Sequence, residues 1–209
     1  MTANAGDAVF CEGDVAKNVY NISDGVMMMS RVGLDGRRQV LAFLFTGDFV
    51  GASPGETYSY SLDAVTDANV CRFERSNFEK LLERHQDVDR RYRTMTAGML
   101  ESSYELAYTL GQRNAVERIS AFLLYLRQKE HQANQWHNRQ NACAEDGRER
   151  IQVPMTRTDI ADFLGLTIET VSRAIKKLKD KSLIRTAGAH DIDILDITGL
   201  REIAETTAL

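Results

Sequence analysis

Three cysteines, Cys11, Cys71 and Cys143, are all the thiol that this 209-residue chain carries. They are odd in number and far apart, so neither a disulfide framework nor a clustered metal site is encoded, and free thiols are expected. Long apolar runs are also missing: none reaches the ~18 residues of a membrane span, so no membrane partner is expected. The opening MTANAGDAVF has neither the basic start nor the apolar stretch of a secretory signal, so a cytoplasmic protein is expected. Ser/His/Asp, paired-carboxylate and Gly-rich phosphate signatures are absent from any setting that would make them catalytic, so an enzyme is not expected. An excess of either sign of charge is missing as well, 26 Lys/Arg standing against 30 Asp/Glu for a net of −4.

The length gives room for two modest domains, and an apolar share of 43% beside a charged share of 27% excludes wholesale disorder. The small net charge hides an asymmetry. Residues 156–185 hold seven Lys/Arg against four Asp/Glu, a net of +3 that leaves −7 for the rest of the chain. If any segment meets a phosphate backbone, it is this one.

Up to about residue 75, glycine-containing turns alternate with short β-compatible runs: "GDAVFCEGD", "NISDGVMMMSRV", "GLDGRRQVLAFLF", "GDFVGASPGE". The Asp-Gly pairs at 24–25 and 35–36 suit tight turns. Many short strands at even spacing predict a jelly-roll-like β-barrel over residues 1–85. From about Asn77 the texture changes, with no glycine before Gly98, and a long helix is expected. Within it Val88, Tyr92, Met95, Met99, Ser102, Leu106 and Thr109 step by four and three. Two readings stand for that stripe: the seam of a dimer formed by a helix over 86–112, or a face packed on the chain's own barrel. Ser102 and Thr109, being polar, weaken the first.

The third region, 113–209, begins with Ile119, Phe122, Leu123 and Leu126 at i, i+3, i+4 and i+7, a helix with one buried face. Residues 128–150 have almost no apolar stripe and read as part helix extension, part loop. His131, His137 and Cys143 fall there, but their spacing repeats no ligand pattern, so no metal is expected.

"IQVPMTRTDIADFLGLTIETVSRAIKKLKDKSLI" reads as strand, helix, turn, helix. Thr156 with Asp159 forms a capping box, and Met155 with Ile160 a hydrophobic staple. Gly165 permits a sharp turn. Thr167 caps a second helix, with Leu166 and Val171 as its staple. Ala161 is small where the two helices must approach, and Ile160, Leu164, Leu166 and Val171 fill the wedge, a pattern specific to a helix-turn-helix. At ~100° per residue from Ile168, the set Thr170, Val171, Ala174, Ile175 and Leu178 spans an arc of about 200° to 340°, the expected buried face. Glu169, Ser172, Arg173, Lys176 and Asp180 fall between roughly 40° and 140°. Arg donates in a fork to guanine, Glu accepts from the cytosine amino group and Ser does either, so Glu169, Ser172 and Arg173 are the candidate base readers. Arg157, Thr158, Thr167, Thr170 and Lys176 are candidates for phosphate positioning on double-stranded DNA. A wing around Ala187–Gly188–Ala189 and a short closing helix follow.

Barrel, long helix and winged helix-turn-helix in this order resemble the Crp/Fnr family of bacterial transcription regulators over nearly the whole chain. The segments that carry the likeness are "EGDVAKNVYNISDGVM", "GDFVG", "ERISAFLLYL" and "TRTDIADFLGLTIETVSRAIKKL". The E-x-x-S-R core of Glu169, Ser172 and Arg173 resembles the Fnr and FixK branches. The cAMP-receptor branch has Arg where this chain has Ile168, and Gly where it has Ser172. The resemblance implies an α+β chain with a cyclic-nucleotide-binding-like N-terminal domain, a homodimer, a TTGA-like inverted repeat and contact with RNA polymerase.

The family's signal chemistries meet few matching residues. Its cAMP cassette uses Gly-Glu-Leu followed by Arg-Ser, whereas Gly51 is followed here by "ASPGETYSYSLDAV", with no Arg for a cyclic phosphate. An iron–sulfur cluster takes four cysteines. Haem stays open, with His85 or an N-terminal group as axial candidates. The chain begins almost on its first strand, so an N-terminal extension also stays open. Cys71, the residual candidate for a thiol switch, reads as a core residue. No cofactor is expected. The competing functional reading is a ligand-binding sensor whose helical tail docks a protein partner.

Overall fold

The computed structural model describes residues 1–136 and 149–205, which divide into a unit from Met1 to Glu105 and a second from Leu106 onward. In the first, eight strands run β1 (Thr2–Ala3), β2 (Ala8–Phe10), β3 (Asn18–Asp24), β4 (Met27–Val32), β5 (Arg38–Leu44), β6 (Phe49–Val50), β7 (Ser61–Ala64) and β8 (Ala68–Glu74). They form two antiparallel four-stranded sheets, β1-β8-β3-β6 and β2-β7-β4-β5. The expected barrel is thus an open, jelly-roll-like pair of sheets, because the edge strands β1 and β6 are only two residues long and do not bridge from one sheet to the other.

The two sheets enclose Tyr20, Ile22, Met27, Leu44, Leu62, Ala64 and Val70. Strand periodicity puts them there, since successive side chains alternate between faces. In β8 the same alternation turns Ala68 and Val70 inward and leaves Cys71 exposed, its Sγ 3.1 Å from Ser23 Oγ. The core placement expected for Cys71 is corrected by one step of strand phase. Gly25, between β3 and β4, has φ +91°, and a Cβ there would lie 2.5 Å from Asp67 O, so both conformation and space require glycine.

The single long helix expected from Asn77 is two helices, α1 (Arg75–Arg84) and α2 (Gln86–Gln112), broken at His85 with φ −126° and ψ 92°. The break lets both helices add a ring to one cluster. Phe78 of α1 stacks on Phe49 at 4.6 Å, and Tyr92 of α2 meets Phe49 and Phe78 edge-on at 5.4 and 5.3 Å. Tyr92 of the α2 stripe thus packs within the chain. So does Met99, against the core between the sheets. The exposed apolar side chains of α2 are Leu100, Tyr104 and Tyr108, about a quarter turn away. Val88, Met95 and Leu106 are half-buried, and Ser102 is exposed with its hydroxyl bonded to Gly98 O at 2.9 Å.

The second unit contains the end of α2, then α3 (Ala115–Trp136), β9 (Glu149–Gln152), α4 (Arg157–Leu164), α5 (Ile168–Asp180), β10 (Ile184–Thr186), β11 (Asp191–Ile194) and α6 (Ile197–Glu205). Ile119, Phe122, Leu123 and Leu126 are each 3% exposed or less, as their helical spacing requires. Helix α3 continues past its apolar stripe because ion pairing replaces packing: Glu149 binds Arg127 at 2.7 Å and also His131. His137 and Cys143 lie outside the described residues, and among the described residues no three His, Cys, Asp or Glu side chains gather as a metal site. Strand β11 lies between β10 and β9, and its Asp193 stands directly opposite Arg185 on one side and Arg150 on the other.

Candidate nucleic-acid interface

Helix α4 begins where the capping box places it. Asp159 N donates to Thr156 Oγ1 at 3.1 Å, and Thr156 N donates back to Asp159 Oδ2 at 3.0 Å. It ends at Gly165, at φ +60° and ψ 42°, where a Cβ would meet nothing closer than 3.5 Å. The requirement for glycine is thus conformational rather than steric. Leu166 N closes the turn on Ala161 O at 3.0 Å.

Thr167 then caps α5 by accepting from Thr170 N at 3.2 Å. A Thr N-cap contributes about 1 kcal/mol. Thr167→Ala is therefore expected to lower the stability of this unit by about that amount, read as a shift of the urea midpoint at unchanged slope.

The two faces of α5 separate as the helical projection requires. Val171, Ala174, Ile175 and Leu178 are buried at 6% or less, whereas Glu169, Ser172, Arg173 and Lys176 are exposed and Thr170 sits at the edge. Ile168, where the cAMP-receptor branch has Arg, is exposed beside them. Arg173 Nη2 is 3.4 Å from Thr170 Oγ1. Hydrogen bonds from its own backbone N–H and from the Thr167 hydroxyl, with the nearby Arg173 charge, hold the Glu169 carboxyl below the usual range. Glu169 therefore remains an acceptor at neutral pH. The arrangement presents one fork donor, one acceptor and one hydroxyl in the first two turns of a helix whose opposite side is anchored in the core.

Of the remaining positioning candidates, Thr158 is exposed and Arg157 is half-buried at the start of α4. Two elements of the support were not read from the sequence. Arg118 of α3 donates to Leu110 O and Leu164 O, both at 2.8 Å, and to Arg113 O at 2.8 Å. It therefore ties the carbonyl end of α4, next to the turn, to the end of α2. Asp193, with no exposed surface, receives Arg150 Nε at 2.7 Å and Arg185 Nη2 at 2.7 Å, fixing the three wing strands to one another. Arg118 lies on the polar edge of the stretch ERISAFLLYL, where its charge gives no sign of its carbonyl partners.

Comparison with known proteins agrees with this geometry. The Crp-like helix-turn-helix domain matches residues 117–203, and the cyclic nucleotide-binding domain matches residues 1–85. The transcriptional activatory protein AadR of Rhodopseudomonas palustris is 37% identical over 85% of this chain and 70% of its own length. The nitrogen fixation regulation protein FixK of Rhizobium meliloti is 34% identical over 97% of this chain and 85% of its own. Among solved structures, FixK2 from Bradyrhizobium japonicum superposes with a TM-score of 0.83 and 30% identity, covering 100% of this chain and 98% of that one.

Proposed function

The chain belongs to the Crp/Fnr family of DNA-binding transcription regulators, in its FixK-like branch, and from that premise we propose how it reads DNA. It binds as a homodimer to an inverted repeat of TTGA-like half-sites, each read by Glu169, Ser172 and Arg173 of one α5. The observation that carries this reading is the placement of those three side chains on the exposed face of α5, opposite the buried Val171, Ala174, Ile175 and Leu178. The exposed Leu100, Tyr104 and Tyr108 of α2 supply apolar surface for the dimer, beside the half-buried Tyr92 and Met99, which also make contacts within the chain. The regulator works in the cytoplasm through RNA polymerase and has no catalytic role of its own.

It also works without a bound effector. Between the sheets, Phe10 stacks on Tyr58 with ring centroids 3.7 Å apart, flanked by Tyr20 and Tyr60. Tyr58 Oη donates to Asn18 O at 2.7 Å, and Tyr60 Oη accepts from Gly51 N at 3.1 Å. These rings occupy interior space, and residues 51–64 include no Arg or Lys to pair with a cyclic phosphate.

The test is binding by the purified, aerobic, metal-free protein to a duplex carrying a TTGA inverted repeat and to a shuffled duplex of the same length. Preference for the repeat, unchanged by added cAMP, is expected, whereas equal affinity for both duplexes would overturn the base-reading role. In the same assay Lys176→Ala is expected to weaken both duplexes alike and to flatten the slope of log K against log salt by about 0.9, as for one lost phosphate contact.

A further inference from the structure

A chain of side-chain hydrogen bonds crosses the first two turns of α5, beginning on one charged base reader and ending on the other. Arg173 Nη2 donates to Thr170 Oγ1 at 3.4 Å, and the hydroxyls of Thr170 and Thr167 lie 3.1 Å apart. The Thr167 hydroxyl in turn donates to the Glu169 carboxylate. We propose that Thr170 is a positioning residue for base reading, its hydroxyl holding Arg173 and, through Thr167, Glu169 apart and oriented before DNA arrives. The proposal rests on the base-reading role of those two side chains, and it assigns the Thr170 hydroxyl to them instead of to a phosphate.

Proton counting gives the chain one direction. A hydroxyl has one proton and two lone pairs, and a guanidinium only donates. One lone pair of Thr167 Oγ1 takes Thr170 N at 3.2 Å, the cap of α5, and the Thr167 proton goes to Glu169. The bond between the two hydroxyls is therefore donated by Thr170. Thr170 Oγ1 accepts from Arg173, so every donor points from the cation toward the anion, and each bond polarises the next. No proton is left on Thr170 for a phosphate oxygen.

The alternative for these two readers is a direct ion pair. Glu169 and Arg173 stand at i and i+4 with the acid on the N-terminal side, the order that pairs best on a helix surface. Asp89 and Arg93 of α2 have the same order and do pair, at 2.8 Å. Among the described residues Glu169 and Arg173 do not pair, because the guanidinium turns to Thr170 and the carboxylate to Thr167. A direct pair would have to break before either group met a base. In the chain only Nη2 is engaged, and the other two nitrogens of the fork remain for a guanine. Holding a long side chain in place before binding also reduces the entropy lost on binding.

The experiment uses the full chain with the repeat and shuffled duplexes in fluorescence anisotropy. Thr167→Ala would break the cap together with the chain, so Thr170 is the position that isolates the effect. Thr170→Val removes the hydroxyl but keeps the β-branched shape and the backbone N–H that the cap uses. It is expected to lower preference for the repeat on the order of two- to tenfold, the worth of one hydrogen bond. Affinity for the shuffled duplex and its salt slope should not change, and Thr170→Ser should restore the preference. In an Arg173→Ala background Thr170→Val should alter neither duplex, since the side chain it holds is gone. Equal weakening of both duplexes, with about 0.9 lost from the salt slope, would make Thr170 a phosphate contact and overturn the proposal. Wild-type behaviour of Thr170→Val, or an undiminished cost in Arg173→Ala, would overturn it too.

A readout without DNA separates the chain from the base-reading role. The Glu169 carboxyl carbon, followed by NMR through a pH titration, should titrate higher in Thr170→Val than in wild type or Thr170→Ser. The Thr167 donor has then lost the neighbour that polarises it, and the Arg173 charge is no longer held nearby. That rise in a protein with no preference for the repeat would strike the base-reading role and keep the chain. Its absence overturns the chain, whatever the duplexes show.

Discussion

Arg150→Met is expected to destabilise the C-terminal unit by about 3 kcal/mol, at the low end of the cost of breaking a buried ion pair. For a unit of this size that is a fall in melting temperature of roughly 12–24 °C, read by scanning calorimetry. The low end applies because Arg185 remains on the other oxygen of Asp193 and because the Arg150 side chain is itself 32% exposed. The carboxylate has no exposed surface, so whatever partner it loses is not replaced by water. Asp193→Asn is expected to cost less, since the two guanidiniums it frees reach solvent. The comparison thus separates an orphaned buried charge from a merely lost contact.

The same site sets a pH dependence. The hydrogen bond from Arg150, followed by that from Arg185, holds the Asp193 carboxyl below the usual carboxylate range against the opposing effect of burial. A carboxyl depressed in the folded state contributes stability above its unfolded value, about pH 4, and that contribution disappears as pH falls through the folded pKa. In Arg150→Met the main cause of the depression is gone while burial persists, so the loss begins at higher pH. At about pH 4.5 the gap in melting temperature between the variant and wild type is therefore expected to exceed the gap at neutral pH. A gap that does not change with pH would show that Arg150 acts by packing its stem.

How much of this was legible depended on whether a feature is periodic. The buried face of α5 follows from a helical repeat applied to residue type, and the capping box and Gly165 turn follow from local backbone chemistry. Features set by pairing between distant segments did not show. In "DIDILDI" Asp191, Asp193 and Asp196 look alike, and only the register of β11 between Arg150 and Arg185 singles out the middle one. Cys71 sits in an apolar-looking run whose inward phase is set by pairing with β3, and a one-residue difference in phase exchanges the faces. The break at His85 has no proline or glycine to announce it. It follows from Phe78 and Tyr92 both packing on Phe49, a contact across more than forty residues for Tyr92.

Arg173→Ala is expected to cost about 1–3 kcal/mol of affinity for the TTGA repeat, roughly 5–150-fold, and to relax preference at one base pair of each half-site. The side chain is exposed, and its one described hydrogen bond within the chain is the 3.4 Å contact with Thr170 Oγ1. The folded unit should therefore melt as wild type does, so the loss is one of recognition. Arg173 also offsets the negative charge of Glu169, which stays ionised near a polyanion and is useful there only while it accepts from a base. Removing Arg173 leaves that carboxylate repelling the phosphates, which adds to the loss at low salt and is screened at high salt. Arg173→Lys restores the charge but not the planar fork, so it is expected to recover affinity for the shuffled duplex without recovering preference for the repeat. Equal weakening of repeat and shuffled duplexes by Arg173→Ala would assign the guanidinium to a phosphate and leave Glu169 and Ser172 as the only readers on α5.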